Sequence, residues 1–162
     1  MWLELIEKLL SETNLTYLNA DLPLAVFMVK LLPTRIKFDK FINLQTFQDY
    51  LESILNYHET ESPISHIKKF EIIKGDAIEQ TEIYLKKNPH TIIALAYFDF
   101  DLYEPTKKCL ELIKPFITKG TIIGFDELNH SDYPGETIAF KEVFGLNSFK
   151  ITRTPHSPCT SY

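Results

Sequence analysis

The stretch "YFDFDLYEPT" (97–106) places two carboxylates, Asp99 and Asp101, two residues apart directly after the apolar run "TIIALA" (91–96). A second apolar run, "TIIGF" (121–125), ends in another acid pair, Asp126 and Glu127. Acids gathered at the ends of buried segments repel one another, and burying them unpaired is costly. A divalent cation removes both difficulties. Asp99, Asp126 and Glu127 offer hard oxygen ligands suited to Mg²⁺, which keeps several waters and exchanges them for substrate hydroxyls. The alternative for each acid is structural: capping a following helix, or pairing with a lysine such as Lys107 or Lys119. For Asp101, just ahead of "LYEPT", the capping reading stands beside the ligand reading.

His130 and Asp132 follow the second acid pair. They could reach a substrate proton as general bases, or they are a loop histidine and a turn aspartate before "YPG". His58, His66, His90 and His156 show no ligand spacing.

The elements that must carry these acids alternate in type from residue 68 onward. "FEIIKGDA" (70–77) reads as a short strand ending in Gly75 and Asp76, and "AIEQTEIYLKK" (77–87) as a helix. "TIIALAYFDF" is the next strand. "EPTKKCLELIKPFITKG" (104–120) is a helix with proline early and Pro115 and Gly120 closing it. "TIIGFDELN" (121–129) is a strand, "GETIAFKEVFG" (135–145) a helix and "SFKITRT" (148–154) a strand. Strands separated by helices predict an α/β fold with a parallel sheet and helices on both faces. Ligands bind such sheets at the carboxyl ends of the strands. Three strand ends carry acid: Asp76, then Asp99 and Asp101, then Asp126 and Glu127. The expectation is that they converge along one edge.

The first third differs. "MWLELIEKLLSE" (1–12) and "LQTFQDYLESILNYH" (44–58) read as amphipathic helices, with a buried strand, "LAVFMVKLL" (24–32), and a weaker one, "RIKFDKFINL" (35–44), between them. No glycine precedes Gly75.

Composition narrows the function class. With 162 residues the chain fits one domain, 1–162, with a sizeable core. A net charge of −5 argues against a nucleic-acid partner, since such binding needs clustered Lys and Arg. Cys109 and Cys159 are too far apart for a zinc motif or a disulfide scaffold, so a reducing, cytoplasmic setting is the default. "LPLAVFMVKLL" (22–32) is shorter than the ~20 residues of a membrane span and contains Lys30, and the N-terminus lacks signal-peptide features. No membrane partner is expected.

"YFDFDLYEPT", then "IIGFDELN", then "PGETIAFKEV" together resemble the second half of class I S-adenosylmethionine-dependent methyltransferases of the macrocin O-methyltransferase type. The resemblance covers residues 68–162. It implies a Rossmann-like sheet in which the acidic ends belong to the third, fourth and fifth strands. It implies S-adenosylmethionine and Mg²⁺ as cofactors, methylation of a sugar hydroxyl, and a small sugar or sugar-nucleotide substrate, with homo-oligomerisation left open. Matched residue by residue, it makes Asp99 and Asp126 metal ligands, with Glu127 where the family usually has a second Asp. It puts "GDA", Gly75, Asp76 and Ala77, beside the cofactor's adenine; the candidate catalytic residues are then Asp99, as ligand, and His130, from its place after the second acid pair.

The chain departs from the family pattern in one respect. Such enzymes open with a strand and a glycine-rich turn that lets backbone approach the cofactor, and an acid on the next strand holds the ribose. Here 1–67 offers no glycine, and only Asp39 in "KFDKF" stands for the acid. The alternative reading is a catalytically inactive or truncated methyltransferase-like remnant, or an interaction module that keeps the acidic edge. A metal-dependent hydrolase is the weaker third reading, because no nucleophile motif accompanies the acids.

Overall fold

The computed structural model describes residues 24–30, 44–61, 65–155 and 159–162. They fall into two compact units, one built from the strand at 24–30 and everything from Ala77 onward, the other lying between Leu32 and Asp76. The expected helix at 1–12 and the weaker strand at 35–44, with Asp39, lie outside the described residues.

The first unit is an α/β fold whose described residues form a parallel sheet of three strands: β1 (Leu24–Lys30), β2 (Ile92–Asp99) and β3 (Ile117–Phe125), in the order β1-β2-β3. Between the strands run α2 (Ala77–Lys87) and α3 (Tyr103–Ile113), and α4 (Gly135–Val143) follows β3. In the doubly wound order the first strand lies beside the fourth, and β1 takes that position here next to the strand ending in Asp99. β2 is buried on both faces along Leu95–Phe98, as a central parallel strand must be.

The helices follow from their apolar stripes. α3 buries Thr106, Cys109, Leu110 and Ile113, spacings of three and four that form one face. Its first turn accommodates Pro105, whose missing N–H would have no helical partner there. The sequence predicts this helix to residue 120, but it ends at Ile113 in a 3-10 turn, Lys114–Phe116, and β3 begins at Ile117. Pro115 has no N–H for the next helical bond, so the chain leaves the helix early. α3 packs against α4, and Tyr103, Lys107 and Glu142 join the two: the Tyr103 hydroxyl and the Lys107 ammonium both donate to Glu142 Oε2, at 2.6 and 2.7 Å.

The core of this unit is aromatic. Phe98 and Phe125 stack across neighbouring strands at 5.4 Å, with Phe100 and Phe140 edge-on to them. Beyond α4, the expected strand at 148–154 is reduced to isolated pairing: Arg153 bridges Ser161, and Ser161 also exchanges two backbone bonds with Phe125. The last residues thus lie against the end of β3.

The second unit contains α1 (Leu44–Glu61) and the segment 65–76. The strand expected at 70–77 does not form. Residues 70–73 keep an alternating exposure but have no ladder partner among the described residues, and the Lys69 N–H just before them goes to the Glu59 carboxylate at 2.7 Å instead. Among the described residues the sheet therefore carries two acidic strand ends, those of β2 and β3, and Asp76 belongs to the other unit.

Candidate functional site

β2 and β3 lie in register with Phe98 opposite Phe125, so the residues that follow, Asp99 and Asp126, leave the sheet side by side at its carboxyl edge. The Asp126 N–H continues the ladder by donating to the Phe98 carbonyl at 3.0 Å. In the β1 register, Lys30 stands opposite Asp99.

Tyr97 organises this edge. Its hydroxyl donates to Asp126 Oδ1 at 2.8 Å. Burial, then the bond to Asp126 and its charge, then the charge of Asp99 push the phenol far above its ordinary range. One hydroxyl therefore feels both carboxylates. Room for the ring comes from Gly124 on β3, where an added Cβ would stand 2.8 Å from the Tyr97 ring. Thr160, brought in by the C-terminal pairing, places its hydroxyl 3.4 Å from the same Asp126 oxygen.

Glu127 comes next in the chain, and its Oε2 is buried with no hydrogen-bond partner among the described residues. A buried carboxylate oxygen without a donor is a place that a cation or a further donor would fill. Asp99, Asp126 and Glu127 are the hard oxygen donors Mg²⁺ prefers, but the ligand cluster found among the described residues includes Glu127 and neither aspartate. Glu127 also lies near softer groups: one ligand atom each from Glu127, His130 and Cys159 falls within 4.8 Å of the others. Such a mixed set would suit zinc better than magnesium. His130 does not favour that, because its Nδ1 accepts the Asp132 N–H at 3.2 Å, which leaves the ring proton on Nε2, the nitrogen 3.9 Å from Glu127. The Cys159 thiol is pushed up by burial and by the Glu127 charge, away from the thiolate a metal needs.

The same bond bears on His130 as a base, since neither ring nitrogen presents a free lone pair in this arrangement. Asp132, its donor, is exposed. Asp101 is not the N-cap residue of α3: that position is Leu102, without a side-chain bond, and Asp101 turns the chain just before it at φ 58°. Gly75 and Asp76 close the second unit and Ala77 opens α2 of the first. Gly75 has φ 145°, a conformation glycine adopts readily.

Three participants escaped sequence reasoning: Tyr97, Thr160 and Glu136. Glu136 is fully buried, and its carboxylate accepts N–H groups from Phe100 at 3.1 Å and Glu127 at 3.0 Å. Burial pushes its carboxyl up to about 7, with these bonds pulling the other way. A signal existed. Glu136 shares the helical stripe of Ala139, Phe140 and Val143, and a carboxylate on an apolar stripe needs partners.

A parallel α/β sheet with acids at adjacent strand ends, carrying "DFDLYEPT" and "GFDELN", is consistent with one class, the class I S-adenosylmethionine-dependent methyltransferases of the macrocin O-methyltransferase type. Two solved structures similar to this chain are of CalS11. One is the apo structure of CalS11, TDP-rhamnose 3'-O-methyltransferase, an enzyme in calicheamicin biosynthesis, at 42% identity and a TM-score of 0.68 over 75% of this chain and 52% of that one. The other, CalS11 as calicheamicin methyltransferase, matches at 43% identity and a TM-score of 0.66 over 71% of this chain and 45% of that one. The chain thus spans about half the length of the structures it matches. No protein-family model and no curated protein gives a match. Among the described residues, no helix is long and apolar enough to cross a membrane.

Proposed function

We propose that the chain takes part in S-adenosylmethionine-dependent, metal-assisted O-methylation of a sugar hydroxyl, with a sugar nucleotide as the substrate class. The observation that carries this reading is the pairing of Asp99 and Asp126 on register-matched strands, in a chain 42% identical to a sugar-nucleotide O-methyltransferase. Asp99, Asp126 and Glu127 would hold Mg²⁺, and Gly75, Asp76 and Ala77 would line the adenine side of the cofactor. When bound, the ion would favour ionisation of a sugar hydroxyl and the cofactor would supply the sulfonium methyl.

The chain's own groups do the positioning. Tyr97 fixes one oxygen of Asp126 by donating to it, which leaves the other to face a ligand. Asp99, at the strand end beside it, adds negative charge that would help hold a cation there. His130 would serve as general base only after its Nδ1 releases the Asp132 N–H.

The test is methyl transfer from S-adenosylmethionine to a nucleotide-linked deoxysugar, with Mg²⁺ and with a chelator. Transfer that needs Mg²⁺ and is lost in Asp99→Asn and Asp126→Asn supports the reading; transfer untouched by the chelator sinks its metal half. A second reading, a non-catalytic module that keeps the acidic edge, is favoured by the absence of any glycine before Gly75. The segment after β1 begins "LLPTR" where a glycine-rich turn would lie against the cofactor. Calorimetry separates the two: a low-micromolar dissociation constant for S-adenosylmethionine supports the enzyme, and no detectable heat supports the module.

A further inference from the structure

α4 meets the acidic edge through two consecutive residues with complementary roles. A Cβ on Gly135 would stand 2.6 Å from Tyr103 N, 2.7 Å from the Asp101 carbonyl oxygen and 2.8 Å from the Leu102 carbonyl carbon. Glycine alone lets the first turn of α4 lie on the loop that follows β2. Glu136 uses that proximity. Its Oε1 accepts the N–H of Phe100, the residue after Asp99, and its Oε2 accepts the N–H of Glu127, the residue after Asp126. The Asp101 backbone is a further partner.

Helix formation does not require this carboxylate. Glu136 is 0% exposed, on a stripe with Ala139 and Phe140, where an apolar side chain would pack without any desolvation cost. What an apolar residue would not do is tie together the two chain segments that emerge from β2 and β3. Among the described residues, Glu136 makes that tie with both of its oxygens.

We infer that Glu136 is a positioning residue for the acidic edge: it fixes the separation between the ends of β2 and β3, and with it the spacing at which Asp99 and Asp126 present their carboxylates to a divalent ion. The ligand in this statement rests on the magnesium reading above; the clamp itself rests on the hydrogen bonds.

The experiment combines amide hydrogen exchange with titration of Mn²⁺, a paramagnetic stand-in for Mg²⁺, into the full chain and into Glu136→Gln and Glu136→Ala. In Glu136→Gln one amide oxygen can still accept, but its NH₂ faces the other N–H, so one of the two ties is lost with little change in volume. The expected results are protected amides at Phe100 and Glu127 in the wild type, faster exchange at one of them in the Gln variant and at both in the Ala variant. Mn²⁺ affinity is expected to fall by about ten- to a hundredfold, Ala below Gln, as for other residues that orient metal ligands. A residue that merely supports folding would lower the melting temperature and leave the affinity of the folded fraction unchanged. Unprotected Phe100 and Glu127 amides in the wild type overturn the clamp without any variant. Unchanged Mn²⁺ affinity in a folded Gln variant that has lost a tie overturns its positioning role. If the wild type binds no Mn²⁺, the magnesium reading fails separately, and the exchange rates alone then uphold or overturn the clamp.

Discussion

Tyr97 and Glu136 show how single side chains set the chemistry of this edge, and each makes a measurable prediction. Tyr97→Phe removes the 2.8 Å bond to Asp126 and leaves a partly buried carboxylate with one donor fewer. A hydrogen bond to a charged group is worth about 2 kcal/mol, so urea unfolding should show a loss of that order. Glu136 predicts a pH effect. Its carboxyl is raised from 4.5 to about 7, so between those values the folded chain holds a proton that the unfolded chain releases. Its contribution to stability therefore falls as pH rises from about 4.5 to about 7 and stays lost above that, by on the order of 3 kcal/mol. Unfolding of wild type and Glu136→Gln at both ends of that window checks it: the variant should gain on the wild type as pH rises. The acids of the site were visible in the sequence because they interrupt apolar runs. Tyr97 was not, because an aromatic in a buried strand is indistinguishable from core until the opposite strand is known.

Strands and helices were legible wherever a local period met a local stop. α2 and β1 follow the apolar patterns that predict them, and α3 departs only at its end, where the backbone consequence of Pro115 outweighed the continuing apolar spacing. The segment 70–77 failed for a different reason. Its residues have strand character, but a strand is defined by a partner, and the Lys69 N–H at its entrance is held by Glu59. The β2–β3 contact supplies the prediction at this scale. Gly124→Ala would push a methyl group into the Tyr97 ring, with contacts of 2.8 and 3.2 Å, and should cost about 1–3 kcal/mol by overpacking. Combined with Tyr97→Leu, which removes the obstructing ring, the two effects should fall well short of adding. Additive losses in a denaturation series would show that the ring does not fix the strand contact.

For the whole molecule the prediction is linkage. An ion that binds only the folded chain stabilises it by about 2.7 kcal/mol at a hundred times its dissociation constant. Melting in increasing Mg²⁺ should therefore rise for the wild type and for Asp132→Asn, whose aspartate lies in the exposed turn, and stay nearly flat for Asp99→Asn. Equal shifts in wild type and Asp99→Asn would remove the metal from the site. The family was legible because its signature sits on consecutive elements, β2 through α4, close together in sequence. The division into two units was not, since it depends on contacts between β1 and a strand more than sixty residues later.

The two cysteines give the molecule its own kinetic reporters. Cys109 is wholly enclosed between α3 and the core, while Cys159 lies at intermediate exposure beside Glu127. A thiol-reactive dye should modify Cys109 only through global unfolding, and the partly exposed Cys159 in the folded chain, slowed by its raised thiol pKa. One labelling trace would then resolve two rates: the slow one timing the loss of the whole fold, the fast one reporting how accessible the C-terminal residues beside Glu127 are in the folded chain.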